Sequence, residues 1–273
     1  YGMSGIQSII FNNLNTSECS NMHYMFRDCS SLLRLDLSSF DTSNVENMGR
    51  LFQGCTNLAY LDVSSFNTGK VTVMRAVFSD CSSLANLDVT SFNTSNVTAM
   101  EEMFKNMYSL VSLDLSNFDT SKVINMCEMF YHCTKLAELN VSNFNTLKVT
   151  DMSYMFTGIK ATSLDVSSFN TSNVKNMSYM FSDVNVIKSL NLSNFDTSKV
   201  TNMEYMFAYC EELENINMSN CDTSNVTNMN SMFKNCSKLT GDLIIPNSVL
   251  TIGQNAFGTQ STKRVEFSNL EST

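Results

Sequence analysis

One interval governs this chain. Met recurs at positions 22, 48, 74, 100, 126, 152, 177, 203 and 229, every 26 residues but for a single step of 25. Phe stands four residues after each of them, from Phe26 to Phe233, and Thr stands six residues before, from Thr16 to Thr223. Nine copies in register fill residues 9–241, leaving 1–8 as an N-terminal edge and 242–273 as a C-terminal segment of another type. A strict period of this length belongs to stacked arrays, where a unit that cannot bury its apolar face alone shares one core with its neighbours.

The second copy can be read residue by residue. Leu58, Leu61, Val63 and Phe66 follow the strand segment of a leucine-rich repeat, with Phe where Asn or Cys is usual. Alternation along a strand sends Leu61 and Val63 to one side and Asp62 and Ser64 to the other. The next residues, "NTGK" here and "DTSN" or "DTSK" elsewhere, break the strand and are expected to cap a helix. Val71, Met74, Val77, Phe78, Cys81 and Leu84 then recur at helical spacing. The expectation is an α/β solenoid: a right-handed leucine-rich-repeat stack, with a parallel sheet on one face, neighbouring strands roughly 4.8 Å apart, and short helices on the other.

Composition removes several functions. A net charge of −9 argues against nucleic acid, whose phosphates need clustered Lys and Arg. No apolar run reaches the roughly 20 residues of a membrane span. Two His, no nucleophile elbow and no P-loop leave no catalytic constellation, so an enzyme is not expected. The opening "YGMSG" lacks an initiator Met, as expected of a mature or excised fragment.

The unit "LDLSxFDTSxVxxMxxMFxxC" resembles the repeats of BspA-like leucine-rich-repeat surface proteins, and "IIPNSVLTIGQNAF" near the C-terminus resembles the second repeat type of the same family. The resemblance implies an extracellular or cell-surface protein-binding module, an adhesin contacting host matrix or cell-surface proteins. It transfers no catalytic residue and no defined binding residue.

The residues themselves offer three candidate surfaces. Asp36, Asp62, Asp88 and Asp114 occupy one outward strand position in successive copies, with Asn140, Asp165, Asn191 and Asn217 beyond. They are a candidate site for a cation such as Ca²⁺ or for a basic partner. Otherwise hydroxyl neighbours and raised carboxyl pKa values absorb the repulsion. The irregular position before each strand Leu holds Arg34 and Tyr60, as expected of specificity residues. Two residues after the repeating Met stand Tyr154, Tyr179 and Tyr205 in consecutive copies, a patch for a partner or for self-association unless the rings merely pack along neighbouring coils. Glu102 shares that position and is expected to be a tolerant surface residue.

Cys29, Cys55, Cys81, Cys133, Cys210 and Cys236 share a position that also holds Met107, Ile159 and Val184, so they read as buried thiols, with Cys127 the most exposed. Residues 157–163 belong to the short step and are expected to kink or loosen the coil. Two functions stay open: a binding module, or a structural spacer or self-assembling stalk that displays another domain.

Overall fold

The computed structural model describes residues 2–11, 14–240, 243–246, 256 and 265–268. Each copy forms one coil, and neighbouring coils stack in parallel. On one face, the outward-inward alternation appears in very short strands: β1 (Arg34–Leu35), β2 (Tyr60–Leu61), β3 (Ser112–Leu113), β4 (Glu138–Leu139), β5 (Ser189–Asn191) and β6 (Asn215–Asn217). They pair two by two, β1 with β2, β3 with β4 and β5 with β6, each pair parallel and in the register that the repeat dictates.

The opposite face departs from expectation: among the described residues no helix forms there. In each coil the residues two and six after the repeating Met have positive φ, as in Tyr24 (65°), Asp28 (59°), Tyr179 (59°) and Asp183 (56°). A left-handed residue every fourth position breaks a right-handed helix. The backbone alternates its donors instead. The N–H groups of Met22, Tyr24, Phe26 and Asp28 leave the coil for the carbonyls of Asn47, Gly49, Leu51 and Gln53 at 2.9, 3.2, 2.9 and 2.7 Å. Those of Met25, Arg27 and Cys29 turn back three residues to Met22, Tyr24 and Phe26 at 3.2, 3.1 and 3.2 Å. A chain of such turns repeats its inward positions about as often as a helix does, which explains why the apolar spacing looked helical. Parallel bridges run unbroken along this face from Asn21 through Asn47, Val73, Ala99, Asn125, Asp151, Asn176 and Asn202 to Asn228.

The repeating Thr joins neighbouring coils. Thr42 Oγ1 donates to Asn67 O at 3.0 Å and accepts from Asn67 N at 2.7 Å, so one buried hydroxyl satisfies both backbone groups of the next coil. Thr16, Thr68, Thr94 and Thr120 repeat the exchange. The preceding Asp41 Oδ1 accepts from Ser43 N at 2.9 Å, so "DTSN" closes a turn rather than capping a helix.

Inside lies one continuous core. The nine ladder Phe rings from Phe26 to Phe233 stack coil to coil with centroids 5.2–5.9 Å apart. The ladder cysteines are free and buried, as expected, and their thiols do further work: Cys55 Sγ donates to Phe26 O at 3.1 Å and Cys133 Sγ to Phe104 O at 3.0 Å. Burial pushes both thiols up to about 12.

The short coil keeps the turn face intact, with Tyr154 N, Phe156 N and Gly158 N bonded to Ser178 O, Met180 O and Ser182 O at 2.9–3.0 Å. Among the described residues, no strand forms between Glu138–Leu139 and Ser189–Asn191, just as none forms between Tyr60–Leu61 and Ser112–Leu113 in a copy of full length, and buried Ala161 stands near the expected Leu position. The kink expected at 157–163 is thus absent from the turn-face ladder. Beyond the ninth coil, β7 (Leu243–Pro246) pairs in parallel with β8 (Val265–Ser268), and Phe233 N donates to Ala256 O at 3.0 Å, continuing the ladder. Gly253 and Phe257, part of the second-type motif, lie outside the described residues.

Candidate functional site: a strand-face groove and a tyrosine row

The strand face gathers most of the residues singled out in the sequence. Arg34 and Tyr60, in paired strands β1 and β2, stand side by side and exposed. A cleft of about 530 Å³ there is lined by Ile9, Ile10, Arg34, Asp36, Ser38, Tyr60, Asp62 and Ser64. A second, of about 680 Å³, continues it past Tyr60 and Asp62 to Asp88, Thr90 and Asp114. Tyr60 borders both and is 65 % exposed, while Ile10 is 81 % exposed at the open end.

The acidic row does not behave as expected in one respect: its carboxyls titrate lower than usual, not higher. Hydrogen bonds from the residue two places on stabilise the carboxylate. Asp36 Oδ1 accepts from Ser38 Oγ at 2.7 Å and from Ser38 N at 3.0 Å, and Asp88 Oδ1 accepts from Thr90 Oγ1 at 2.6 Å and Thr90 N at 2.9 Å. For Asp62 the repulsion of Asp88 and Asp36 is the smallest influence, behind the hydrogen bonds from Ser64 and desolvation. Exposed charges are screened by water, whereas a hydrogen bond aimed at the charged form is not. Asn140 Oδ1 accepts from Ser142 N at 3.0 Å in the same way, which is why Asn can replace Asp along the row. Among the described residues, no group of three or more His, Cys, Asp or Glu side chains is placed to hold a metal ion.

Tyr154, Tyr179 and Tyr205 lie on the turn face, half-buried and in the left-handed region. Their rings stack on one another, 4.4 Å apart for Tyr154–Tyr179 and 4.7 Å for Tyr179–Tyr205, within 8° of parallel. Tyr131 meets Tyr154 edge-on at 5.8 Å, with His132 stacked on Tyr131 at 4.0 Å. Desolvation, then the neighbouring Tyr154, pushes Tyr179 up to about 12. Glu102 corrects another expectation: it is partly buried and accepts from Arg75 Nη2 at 2.8 Å. Cys127 is half-buried, as is Cys19, and burial pushes the Cys127 thiol up to about 11.

The sequence placed Tyr209 one turn beyond Tyr205, and sequence reasoning missed only the turn-face carboxylates around these rings, Asp183 and Glu211. One signal was available. The position six after the repeating Met carries Asp28, Gly54, Asp80, Asn106, His132, Gly158, Asp183, Tyr209 and Asn235, and all but Tyr209 are types that tolerate positive φ.

A family model described as "Mycoplasma protein of unknown function, DUF285" matches residues 2–112, 106–191 and 164–248. No curated protein matches the chain significantly. Among solved structures, a leucine-rich repeat protein from Bacteroides ovatus is similar at 15% identity and a TM-score of 0.36, over 90% of this chain and 75% of that one. One from Eubacterium ventriosum gives 14% and 0.37, over 92% and 82%. A leucine-rich cell surface protein from Faecalibacterium prausnitzii gives 16% and 0.27, over 91% and 76%. Among the described residues, no helix is long and apolar enough to cross a membrane.

Proposed function

We propose that this chain, which belongs to the family described as "Mycoplasma protein of unknown function, DUF285", is an extracellular or cell-surface protein-binding module. One observation carries the reading: exposed Tyr60 and Arg34 stand beside Asp36, Asp62 and Asp88 along one open groove. An exposed aromatic ring beside charged groups is the chemistry that anchors protein partners. A shallow surface spread over several coils suits a macromolecule better than a small ligand. The partner class is a host extracellular or cell-surface protein, which makes the chain an adhesin.

A panel of extracellular proteins screened by surface plasmon resonance tests this. Specific binding is expected, and the Tyr60→Ala, Arg34→Ala double variant should weaken it at least tenfold. No specific binder across a broad panel, or equal binding by the variant, would sink the groove as the contact surface.

The spacer or self-assembling stalk is the second reading, favoured by the unbroken bridge ladder from Asn21 to Asn228. Light scattering at rising concentration separates the two: growth of the scattering mass supports the stalk, and a strict monomer counts against self-assembly.

A further inference from the structure

The tyrosine row lies on the face away from the strand groove and has its own cleft, of about 430 Å³, lined by Tyr131, His132, Tyr154, Thr157, Tyr179, Ser182, Asp183, Tyr209 and Glu211. The chain places its own cations on this row at both ends. Lys105 Nζ lies 5.3 Å from the centroid of Tyr131, and Lys234 Nζ lies 5.7 Å from that of Tyr205 and 5.4 Å from that of Tyr209. Among the described residues, no Lys or Arg is seated over Tyr154 or Tyr179 in the middle.

The carboxylates repeat the pattern. In the earlier coils Glu101 and Glu102 pair with Arg75, and Glu128 pairs with Lys105. Among the described residues Asp183 and Glu211 join no ion pair. The neighbouring lysine, Lys160, donates to Asn185 Oδ1 at 2.5 Å, and the Nδ2 of the same Asn185 donates to Asp183 Oδ1 at 3.3 Å, so Asp183 meets a neutral amide rather than the ammonium itself. The mid-row cleft thus combines aromatic rings with two carboxylates that, among the described residues, no Lys or Arg neutralises, in a chain of net charge −9.

We propose that this cleft binds an arginine side chain presented by an extended segment of a protein partner. The guanidinium is flat, weakly hydrated and suited to lie against tyrosine while its N–H groups reach a carboxylate. Asp183 and Glu211 supply that carboxylate from adjacent coils. The site is separate from the strand groove, so the proposal does not depend on that groove being a contact surface.

The test is calorimetric titration of the whole chain with a short capped peptide of alternating Gly and Arg. Its Gln-for-Arg analogue serves as the uncharged arm and its Lys-for-Arg analogue as the non-planar one. Saturable binding of the Arg peptide is expected, weaker for Lys and lost for Gln. The double variant Asp183→Asn, Glu211→Gln should weaken binding at least tenfold, and Asn at position 183 keeps a residue type that tolerates the left-handed backbone. Tyr179→Leu should weaken it as well, and if that variant fails to fold the double variant decides alone. Glu46→Gln removes one exposed charge far along the stack and should leave binding unchanged. No binding of the Arg peptide at millimolar concentration, equal binding of the Gln peptide, or equal losses for Glu46→Gln and the double variant overturns the proposal.

Discussion

The turn face carries two halves on one backbone. In the second to fifth coils it presents Arg50, Arg75, Glu101, Glu102, Lys105 and Glu128, and most of these form ion pairs with one another. In the sixth to eighth coils it presents Tyr154, Tyr179 and Tyr205, stacked ring on ring. Both halves share the same positive φ two and six residues after Met, and the same hydrogen-bond ladder. The ladder is built from backbone, Thr hydroxyls and a buried core, and the residue two after Met enters it through its backbone N–H alone, not through its side chain. That position can therefore change from charged to aromatic without disturbing the stack. Function can vary along this molecule only where architecture is indifferent.

If so, core changes must cost the same in either half. Phe78→Ala and Phe181→Ala each remove a ring from the same unbroken stack, and each should cost roughly 3–5 kcal/mol in denaturant melts. A much smaller loss at one site would mean that the two halves do not share one core. The buried hydroxyls come next. Thr94→Val keeps the shape but leaves the N–H and C=O of Asp119 without the hydroxyl that serves both, and should cost about 1–3 kcal/mol. Thr171, whose hydroxyl donates to Asp196 O at 2.9 Å, is the matching site in the other half. Gly54→Ala and Gly158→Ala form a third pair. Both glycines have positive φ, and an added methyl carbon would lie 2.5 Å from Asp28 Oδ1 or 2.7 Å from His132 Cδ2. A loss of about 1–2 kcal/mol is expected from the backbone alone.

These pairs also mark how far the sequence could be read. The period, the coil boundaries and the inward residues were legible, because a residue repeated nine times in register is architecture whatever its chemistry. The helix was misread for a physical reason. A helix and a run of turns with left-handed residues at every fourth position both bring Met22, Phe26 and Cys29 inward, so the apolar stripe cannot separate them. Only Gly54, Gly158 and the Asp and Asn residues at the second left-handed position hint at the turns. The first left-handed position accepts Tyr, Arg, Glu and Ala, and gives no such hint. Arg34, Tyr60 and the acidic row were legible as neighbours because strand register follows from the period. The Asp183 and Glu211 cleft was not, because its groups come from different positions of adjacent coils.

The smallest effect is the one that separates the faces by charge. Salt should weaken the paired half of the turn face, where Arg75–Glu102 and Lys105–Glu128 are partly exposed and each contributes about 0.2–1 kcal/mol. The tyrosine stack should not respond. Acid should act on the strand face. The carboxyls of Asp36, Asp62, Asp88 and Asp114 are held below their usual value of 3.8 by their Ser or Thr neighbours. Their contribution is therefore fully present above that value and is lost as pH falls through the lowered native one. Replacing Asp36 by Asn should keep the turn, as Asn140 does, and remove this share of the acid sensitivity. The melting temperature of Asp36→Asn should accordingly fall less between pH 5 and pH 2 than that of the parent, about the range over which such carboxylates titrate. A parallel fall would mean that the row contributes nothing to acid stability. A rise in melting temperature on adding millimolar Ca²⁺, lost in Asp62→Asn, would instead give these carboxylates a cation to hold.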